Sequence, residues 1–353
     1  MIPLFLPRSE RICAIGVRLV MESNGEVVVI TGGTAGVGRA TARRFASSGA
    51  KVAVLARGKD GLEGTKNDIE RVGSQALALE VDVSDAKAVD QAASRIEADL
   101  GPIDIWVNNA MTAVFSPTWD MEPDEYKRVT EVTYLGQVYG TLAALKRMRP
   151  RNRGSIVLVG SALAYRGIPL QSSYCAAKHA IQGFADSLRA ELMHEKSKIL
   201  LTMVQLPGVN TPQFSWVKSR MPRHPKPMGA CYQPEVPAEA IYWAAHHKRR
   251  ELMVAMPTVE AIYGNKLFPE LGDWFLSKVG FSGQQTDEKV DPNRPNNLYE
   301  PLPGDFGAHG IFDEQAKPAS PQLWSTLHRR KAVGVSLGMA GLAFGIWQLG
   351  RKR

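Results

Sequence analysis

Glu26-Val27-Val28-Val29-Ile30-Thr31-Gly32-Gly33-Thr34-Ala35-Gly36-Val37-Gly38 is the stretch that decides the fold. Glu26–Ile30 is a short β-branched run of the kind found in a parallel strand buried on both faces. A glycine-rich turn follows, and then Arg39-Ala40-Thr41-Ala42-Arg43-Arg44-Phe45 has helical composition. Strand, glycine turn and helix in that order aim the free N–H groups of a helix start at whatever anion lies above the strand. A glycine cluster alone is equally well a tight loop. The strand before it and the helix after it make phosphate binding the stronger reading.

Outward from this stretch the pattern repeats. Strand-like runs are expected at Lys51–Ala56, Ala76–Val83, Ile103–Ala110, Gly154–Gly160, Ile199–Leu206 and Glu251–Met256. Helix-length stretches lie between them, including Asp85–Leu100, Glu122–Met148, Ser172–His194 and Pro237–His247. Alternation of apolar strands with helices predicts an open parallel sheet covered on both sides, a doubly wound α/β fold of Rossmann type.

Within Ser172–His194, Tyr174 and Lys178 stand four residues apart. On a helix they share one face a turn apart, so the ammonium sits near the phenol and favours its ionised form. An unperturbed phenol, with a pKa of roughly 10, is a poor base at neutral pH, and a nearby positive charge corrects that. Tyr and Lys at this spacing also arise by chance on amphipathic helices, so the motifs upstream matter.

Taken together, the motifs resemble the short-chain dehydrogenase/reductase family over about residues 24–257. They run in order: Thr31-Gly32-x-x-x-Gly36-x-Gly38, Asp82-Val83 after the third strand, Asn108-Asn109-Ala110 after the fourth, Ser161 after the fifth, then Tyr174 and Lys178. The interval from Ser161 to Tyr174 is the thirteen positions usual in that family. The resemblance implies a catalytic set of Ser161, Tyr174 and Lys178. Ser161 would hydrogen-bond the substrate oxygen, Tyr174 would exchange a proton with it, and Lys178 would hold the nicotinamide ribose and lower the pKa of Tyr174. It also implies cofactor contacts from Thr31, Gly32, Gly36, Val37, Gly38, Asp82, Val83, Asn109, Ala110, Tyr174, Lys178 and Thr211, with Asp82 on the adenine and Thr211 on the nicotinamide amide. Taken alone, Ser161 reads as a strand-end residue making a local backbone bond.

Three positions depart from the family pattern. Thr133 stands where an asparagine is common, although the family's use of that residue's main-chain carbonyl in a proton relay needs no asparagine. Met111 replaces a glycine after Asn109-Ala110 and is expected to crowd the backbone near the cofactor. The segment Pro207-Gly208-Val209-Asn210-Thr211 is one residue short of the family's Pro-Gly-x-x-x-Thr.

The end of the second strand decides between cofactors. A carboxylate there would bind the adenosine ribose hydroxyls and select NAD, whereas a basic residue accommodates a 2′-phosphate. The sequence reads Val54-Leu55-Ala56-Arg57-Gly58-Lys59, with no acid at the position. NADP is therefore expected, with NAD as the alternative, because a guanidinium matches a phosphate bidentately.

The chain has 353 residues and a net charge of +8. Residues 1–20 carry +2 and residues 328–353 carry +6, which leaves 21–327 neutral. A neutral body with basic ends argues against nucleic acid, which calls for a basic stripe on the fold itself. Residues 332–349 are uncharged and flanked by basic triplets. As a helix they would extend roughly 27 Å, near the lower limit for a span, so a membrane anchor is expected at 328–353. Gly334, Gly338, Gly341 and Gly345 would line one face of that helix and favour pairing, and a homo-oligomer is expected. Residues 1–20 read as an arm that is dispensable or comes from an upstream start codon, with a short membrane-contacting arm as the alternative. Cys13, Cys175 and Cys231 are scattered without metal spacing, so no metal site is expected and the catalytic domain is placed in a reducing, cytoplasmic compartment.

Residues 206–237 hold six prolines beyond Pro207, with Phe214, Trp216, Met221, Met228 and Tyr232. That composition suits an apolar lid over a substrate, and with the anchor it favours an apolar alcohol or carbonyl. Residues 258–327 are a Pro-, Gly- and Asn-rich extension that either wraps the catalytic domain of 21–257 or links it to the anchor, with no chemistry of its own. Two functions remain open: an NADP-dependent oxidoreductase, or a nucleotide-binding regulatory or scaffold protein of the same fold.

Overall fold

The computed structural model describes residues 25–291 and 293–329. The arm 1–20, Cys13 and the apolar stretch 332–349 with its glycine stripe lie outside the described residues. Among the described residues, no helix is long and apolar enough to cross a membrane.

Seven parallel strands form one sheet: β1 (Val27–Thr31), β2 (Lys51–Ala56), β3 (Ala76–Glu80), β4 (Ile103–Asn108), β5 (Ser155–Val159), β6 (Leu200–Gln205) and β7 (Glu251–Met253), in the spatial order β7-β6-β5-β4-β1-β2-β3. All five residues of β1 are buried, as its β-branched composition requires of a strand with neighbours on both edges and helices on both faces. The strand order reverses between β1 and β4, and this switch point opens the crevice in which such sheets bind ligands.

Helices α1 (Gly36–Ala46), α2 (Lys59–Arg71) and α3 (Ala86–Leu100) follow the first three strands. The expected helix Glu122–Met148 is divided: α4 (Pro123–Val129) passes through a π-helical segment, Thr130–Leu135, into α5 (Gly136–Met148). Glu122 starts it with a capping box, its backbone N–H donating to Glu125 Oε2 at 3.0 Å. Helix α6 (Ser172–His194) and helix α7 (Glu235–His246) complete the layers.

One hydrophobic core joins Ile30, Phe45, Val54 and Ile241 on one side of the sheet. A second joins Trp106, Met148, Leu158 and Ile181 on the other. The alternation of β-branched strands with small-residue helix faces thus yields the two-sided packing expected of it.

Two strand ends fall short of the sequence reading. The run Ala76–Val83 stops pairing at Glu80, and Val81–Val83 turn over the crevice instead. The run Glu251–Met256 ends at Met253, because Ala255 takes a left-handed conformation (φ 66°) and Pro257 sits in the first turn of α8 (Met256–Leu267). Proline is tolerated there since its missing N–H has no helical partner to lose.

The extension wraps the domain. After α8 and α9 (Pro269–Val279), the strand Gln285–Lys289 pairs antiparallel with Arg223–Pro225. A long irregular segment then crosses the top of the sheet and returns to bridge Lys317 to Tyr232, before α10 (Pro321–Leu327) sets Leu323 into the first core.

Candidate active site

Ser161 lies just past the end of β5, where the chain leaves the sheet. Its N–H donates to Gln205 Oε1 at 2.7 Å, and its Oγ accepts from Leu163 N at 3.1 Å, the local backbone bond that a strand-end serine is expected to make. The same side chain faces the Tyr174 phenol closely enough to lower its pKa, so the structural and chemical readings of Ser161 coexist. Tyr174 and Lys178 occupy one face of α6 a turn apart, with Nζ 5.5 Å from the phenol ring centroid. Lys178 is 1% exposed. Its ammonium donates to Val159 O at 2.7 Å, the carbonyl that Gln137 Nε2 also holds at 3.0 Å. An ammonium has three donors, so one acceptor leaves capacity directed at the cavity.

Burial governs the titration of both groups. It pulls Lys178 down to about 7. It pushes the Tyr174 phenol above its usual value, with the Ser161 side chain opposing the rise. Desolvation is the largest cause of the raised phenol, and burial also holds Lys178 low.

The glycine turn forms a cradle that side chains would fill. Gly32 (φ 64°) leaves room for the backbone of Ala110, whose Cα would lie 2.7 Å from a Cβ at that position. Gly36 (φ 54°) is packed by Thr211, with Cγ2 at 2.9 Å from an added Cβ. Val37, Val83, Asn109, Ala110 and Thr211 line the same cavity of about 670 Å³ as Ser161, Tyr174 and Lys178. Thr31 and Gly38 serve differently from the expectation. Thr31 is buried, and its Oγ1 accepts from the N–H groups of Asn109 (3.0 Å) and Ala110 (3.1 Å), while Asn109 Nδ2 donates back to the carbonyls of Thr31 and Gly32. A Cβ on Gly38 would meet Asn109 Nδ2 at 2.6 Å. Thr31 clasps β1 to β4, Gly38 leaves room for that clasp, and both shape the cradle from behind without lining it.

At the far end of the cavity stand Arg57 and Asp82. Asp82 accepts from Ser84 N (2.9 Å) and Oγ (2.8 Å) and from Arg128 Nη2 at 2.5 Å. Burial alone would raise its pKa, but these bonds outweigh it and hold the carboxyl below its usual range. Arg57 donates to the main-chain carbonyls of Tyr299 and Asn297, the latter at 2.6 Å. The extension therefore does enter the site, contrary to the sequence reading that nothing chemical lies in it.

Of the three departures from the family pattern, two have structural answers. Thr133 Oγ1 donates to Thr112 O at 2.8 Å and accepts from Thr112 N at 3.0 Å, so this side chain ties the π-helical segment to the loop after β4. Met111 turns its side chain toward an apolar cluster of Phe115, Leu170, Phe214 and Phe312, against which Tyr174 also packs. It lines the cavity there and does not crowd the glycine turn.

Sequence reasoning missed Arg128, Gln137, Gln205 and the extension's contacts. Arg128 and Gln137 lie on helices with no motif around them. Gln205 was legible only as a polar residue closing the apolar strand β6. Under the site it bonds Ser161 and Glu251, the latter at 2.7 Å, and Glu251 in turn accepts from Tyr165.

A glycine cradle at the switch point, an unsaturated buried lysine and a serine–tyrosine pair in one cavity define a dinucleotide-dependent oxidoreductase site. Comparison with known proteins agrees. The family model of short chain dehydrogenases matches residues 26–221. An uncharacterized oxidoreductase of Bacillus subtilis, YxnA, is 32% identical over 90% of this chain and 88% of its own length. A short chain dehydrogenase from Mycobacterium paratuberculosis, solved bound to NAD, is 26% identical with a TM-score of 0.57, covering 65% of this chain and 96% of that one. A metagenomic short-chain oxidoreductase solved in complex with NADP shares the fold, at 24% identity and a TM-score of 0.55 over 65% of this chain and 96% of that one. Several other curated relatives are covered over little more than half their own length. The chain belongs to the short-chain dehydrogenase family and is an NAD(P)-dependent enzyme.

Proposed function

We propose that this chain is an NADP-dependent oxidoreductase that interconverts an apolar secondary alcohol and its carbonyl. The observation that carries the reading is the meeting of Ser161, Tyr174 and buried Lys178 in one cavity beside the glycine cradle. In this reading Ser161 orients the substrate oxygen, and Tyr174 gives it a proton during reduction or takes one during oxidation. Lys178 offers its remaining donors to the ribose hydroxyls and contributes positive charge near the phenol. The nicotinamide, when bound, supplies or accepts the hydride. The remainder of the chain's contribution is position and exclusion of water.

NADP over NAD is supported by Ala56 and Arg57. No carboxylate ends β2, and the Arg57 guanidinium lines that end of the cavity near Asp82, which is itself paired with Arg128. The apolar substrate is supported by the Phe115–Phe214–Phe312 cluster, and by α9, where Phe275 lines the cavity and Leu271 and Trp274 are exposed. Anchoring through the uncharged stretch 332–349, and pairing of copies through its glycines, rest on sequence alone.

The test is turnover of a panel of steroid, retinoid, fatty and sugar carbonyls with NADPH and with NADH, followed by absorbance of the reduced cofactor. Turnover confined to sugars would remove the apolar-substrate reading. Truncation before His328 is expected to move the protein from washed membranes to the soluble fraction, and continued pelleting would remove the tail as sole anchor.

A further inference from the structure

The irregular part of the extension, residues 294–312, starts and ends on the substrate loop and crosses the dinucleotide groove between. At its start Arg294 donates to the carbonyls of Phe214 (3.2 Å), Ser215 (3.1 Å) and Val217 (2.8 Å), and Asn297 N donates to Trp216 O at 3.1 Å. At its end Phe312 N donates to Asn210 Oδ1 at 3.0 Å, and Asn210 Nδ2 reaches Asp313 Oδ1 at 2.7 Å. In the crossing, Pro301 passes over Gly58, Gly304 N donates to Asp60 Oδ2 at 2.6 Å, and Asp305 pairs with Arg39. Pro301, Leu302, Gly304 and Phe306 line one cavity together with Gly36 and Arg57.

Two of these contacts use donors that phosphates need. Gly36 N, at the start of α1, donates to Gly307 O at 3.1 Å. The Arg57 guanidinium is held by the carbonyls of Asn297 and Tyr299. A helix-start N–H and a guanidinium are the groups that bind the pyrophosphate and a 2′-phosphate; the single N–H of Gly36 cannot serve Gly307 O and a phosphate at once, and two of the five donors of Arg57 are already taken. Between its buried anchors, Leu298 and Ala308, the crossing residues 299–306 are exposed or half-buried and held by polar contacts. Such a segment has a low free energy of local opening.

We infer that residues 299–307 form a strap whose carbonyls at Tyr299 and Gly307 occupy phosphate-binding donors, and that the dinucleotide binds only when the strap lifts. This rests on the reading of the cavity as a nicotinamide dinucleotide site. Because both ends of the strap are fastened to residues 210–217, lifting it also loosens the loop over the substrate. Nucleotide exchange and substrate access are then coupled through one element.

The test locks the strap. A Cβ built on Gly58 lies 3.5 Å from Pro301 Cβ, within disulfide reach, and Gly58 has an ordinary backbone conformation. In the full chain carrying Gly58→Cys and Pro301→Cys, binding of NADPH is followed by its fluorescence on mixing. Oxidising the pair before mixing is expected to slow binding by at least about tenfold, and reduction with a thiol is expected to restore it. Asp305→Ala, which loosens the strap without a cross-link, is expected to speed binding by about threefold, within the range of a partly exposed ion pair. Equal binding rates to the oxidised and reduced protein would overturn the strap, as would failure of the two cysteines to cross-link at all. If neither NADPH nor NADH binds the reduced double variant, Asp305→Ala or the wild type, it is the dinucleotide reading itself that falls.

Discussion

The two ends of the cavity are built in different ways. At the nicotinamide end, Tyr174 and Lys178 sit on one helix and Ser161 at the tip of the neighbouring strand. Their spacing follows from helix pitch and from the length of one strand–helix connection. At the adenosine end, Arg57 and Asp82 come from the tips of β2 and β3, but their partners arrive from far along the chain. Arg128 comes from α4, and the carbonyls of Asn297 and Tyr299 arrive across 240 residues and more. At the first end Lys178 is buried and Tyr174 half-buried. The second is polar and covered by a strap of mostly exposed residues. On the proposed reading, chemistry falls to the buried end and nucleotide exchange to the end beneath the strap.

The sharpest way to break this contrast is to disable each end separately. Tyr174→Phe keeps the ring in its cluster and removes the transferable proton, so kcat is expected to fall by about a thousandfold while the Kd for NADPH stays as in the wild type. Steady-state kinetics with fluorescence titration reads both, and near-normal kcat would remove Tyr174 from the chemistry. Lys178→Ala tests whether the buried end also binds. It is expected to lose turnover and to weaken NADPH by about tenfold or more, since a charged hydrogen-bond donor is lost. Unchanged NADPH affinity would confine Lys178 to the phenol.

At the other end, Ala56→Asp with Arg57→Ala is expected to leave kcat near its original value and to shift the ratio of kcat/KM for NADPH over NADH by about ten- to a hundredfold towards NADH. A wild type that already prefers NADH would sink the reading of Arg57.

The smallest effect lies away from both ends. His246 closes α7, and its pKa is raised, chiefly by the hydrogen bond to Glu26 at 3.1 Å next to β1. A raised histidine stabilises the fold fully below the unfolded pKa near 6.5, and the contribution is lost as pH rises through the higher folded value. Glu26→Gln is expected to flatten that dependence by less than about 1 kcal/mol, as measured by denaturant titration between pH 5 and 8. A wild-type stability that does not fall across this window would exclude the pair.

Much of the nicotinamide end was legible because its determinants are local. The β-branched run of β1 and the glycines at positive φ fixed strand, turn and helix start, and the fourfold spacing placed Tyr174 over Lys178. Thr31 and Gly38 were legible as motif members but not as a clasp behind the cradle, since that depends on Asn109 arriving from β4. The bounds of β3 and β7 were overread because apolar composition continues past the point where pairing stops. Ala255 shows why: a left-handed turn at an alanine has no signature in composition.

By itself, then, the sequence determined the doubly wound sheet and the strand–glycine turn–helix start, and it picked out Ser161, Tyr174 and Lys178, which the fold brings into one cavity. Periodicity, glycine geometry and helix pitch act over a few residues, and a reader needs no coordinates to apply them. Only the tertiary structure decided the titration of that end and the composition of the other. Burial of Lys178 and half-burial of Tyr174 are sums over every element packed around them, and desolvation is the largest cause of both shifts. The strap over Arg57 and Gly36 is made of main-chain carbonyls, which every residue carries, so nothing in the side-chain alphabet of 297–307 announces what those oxygens hold.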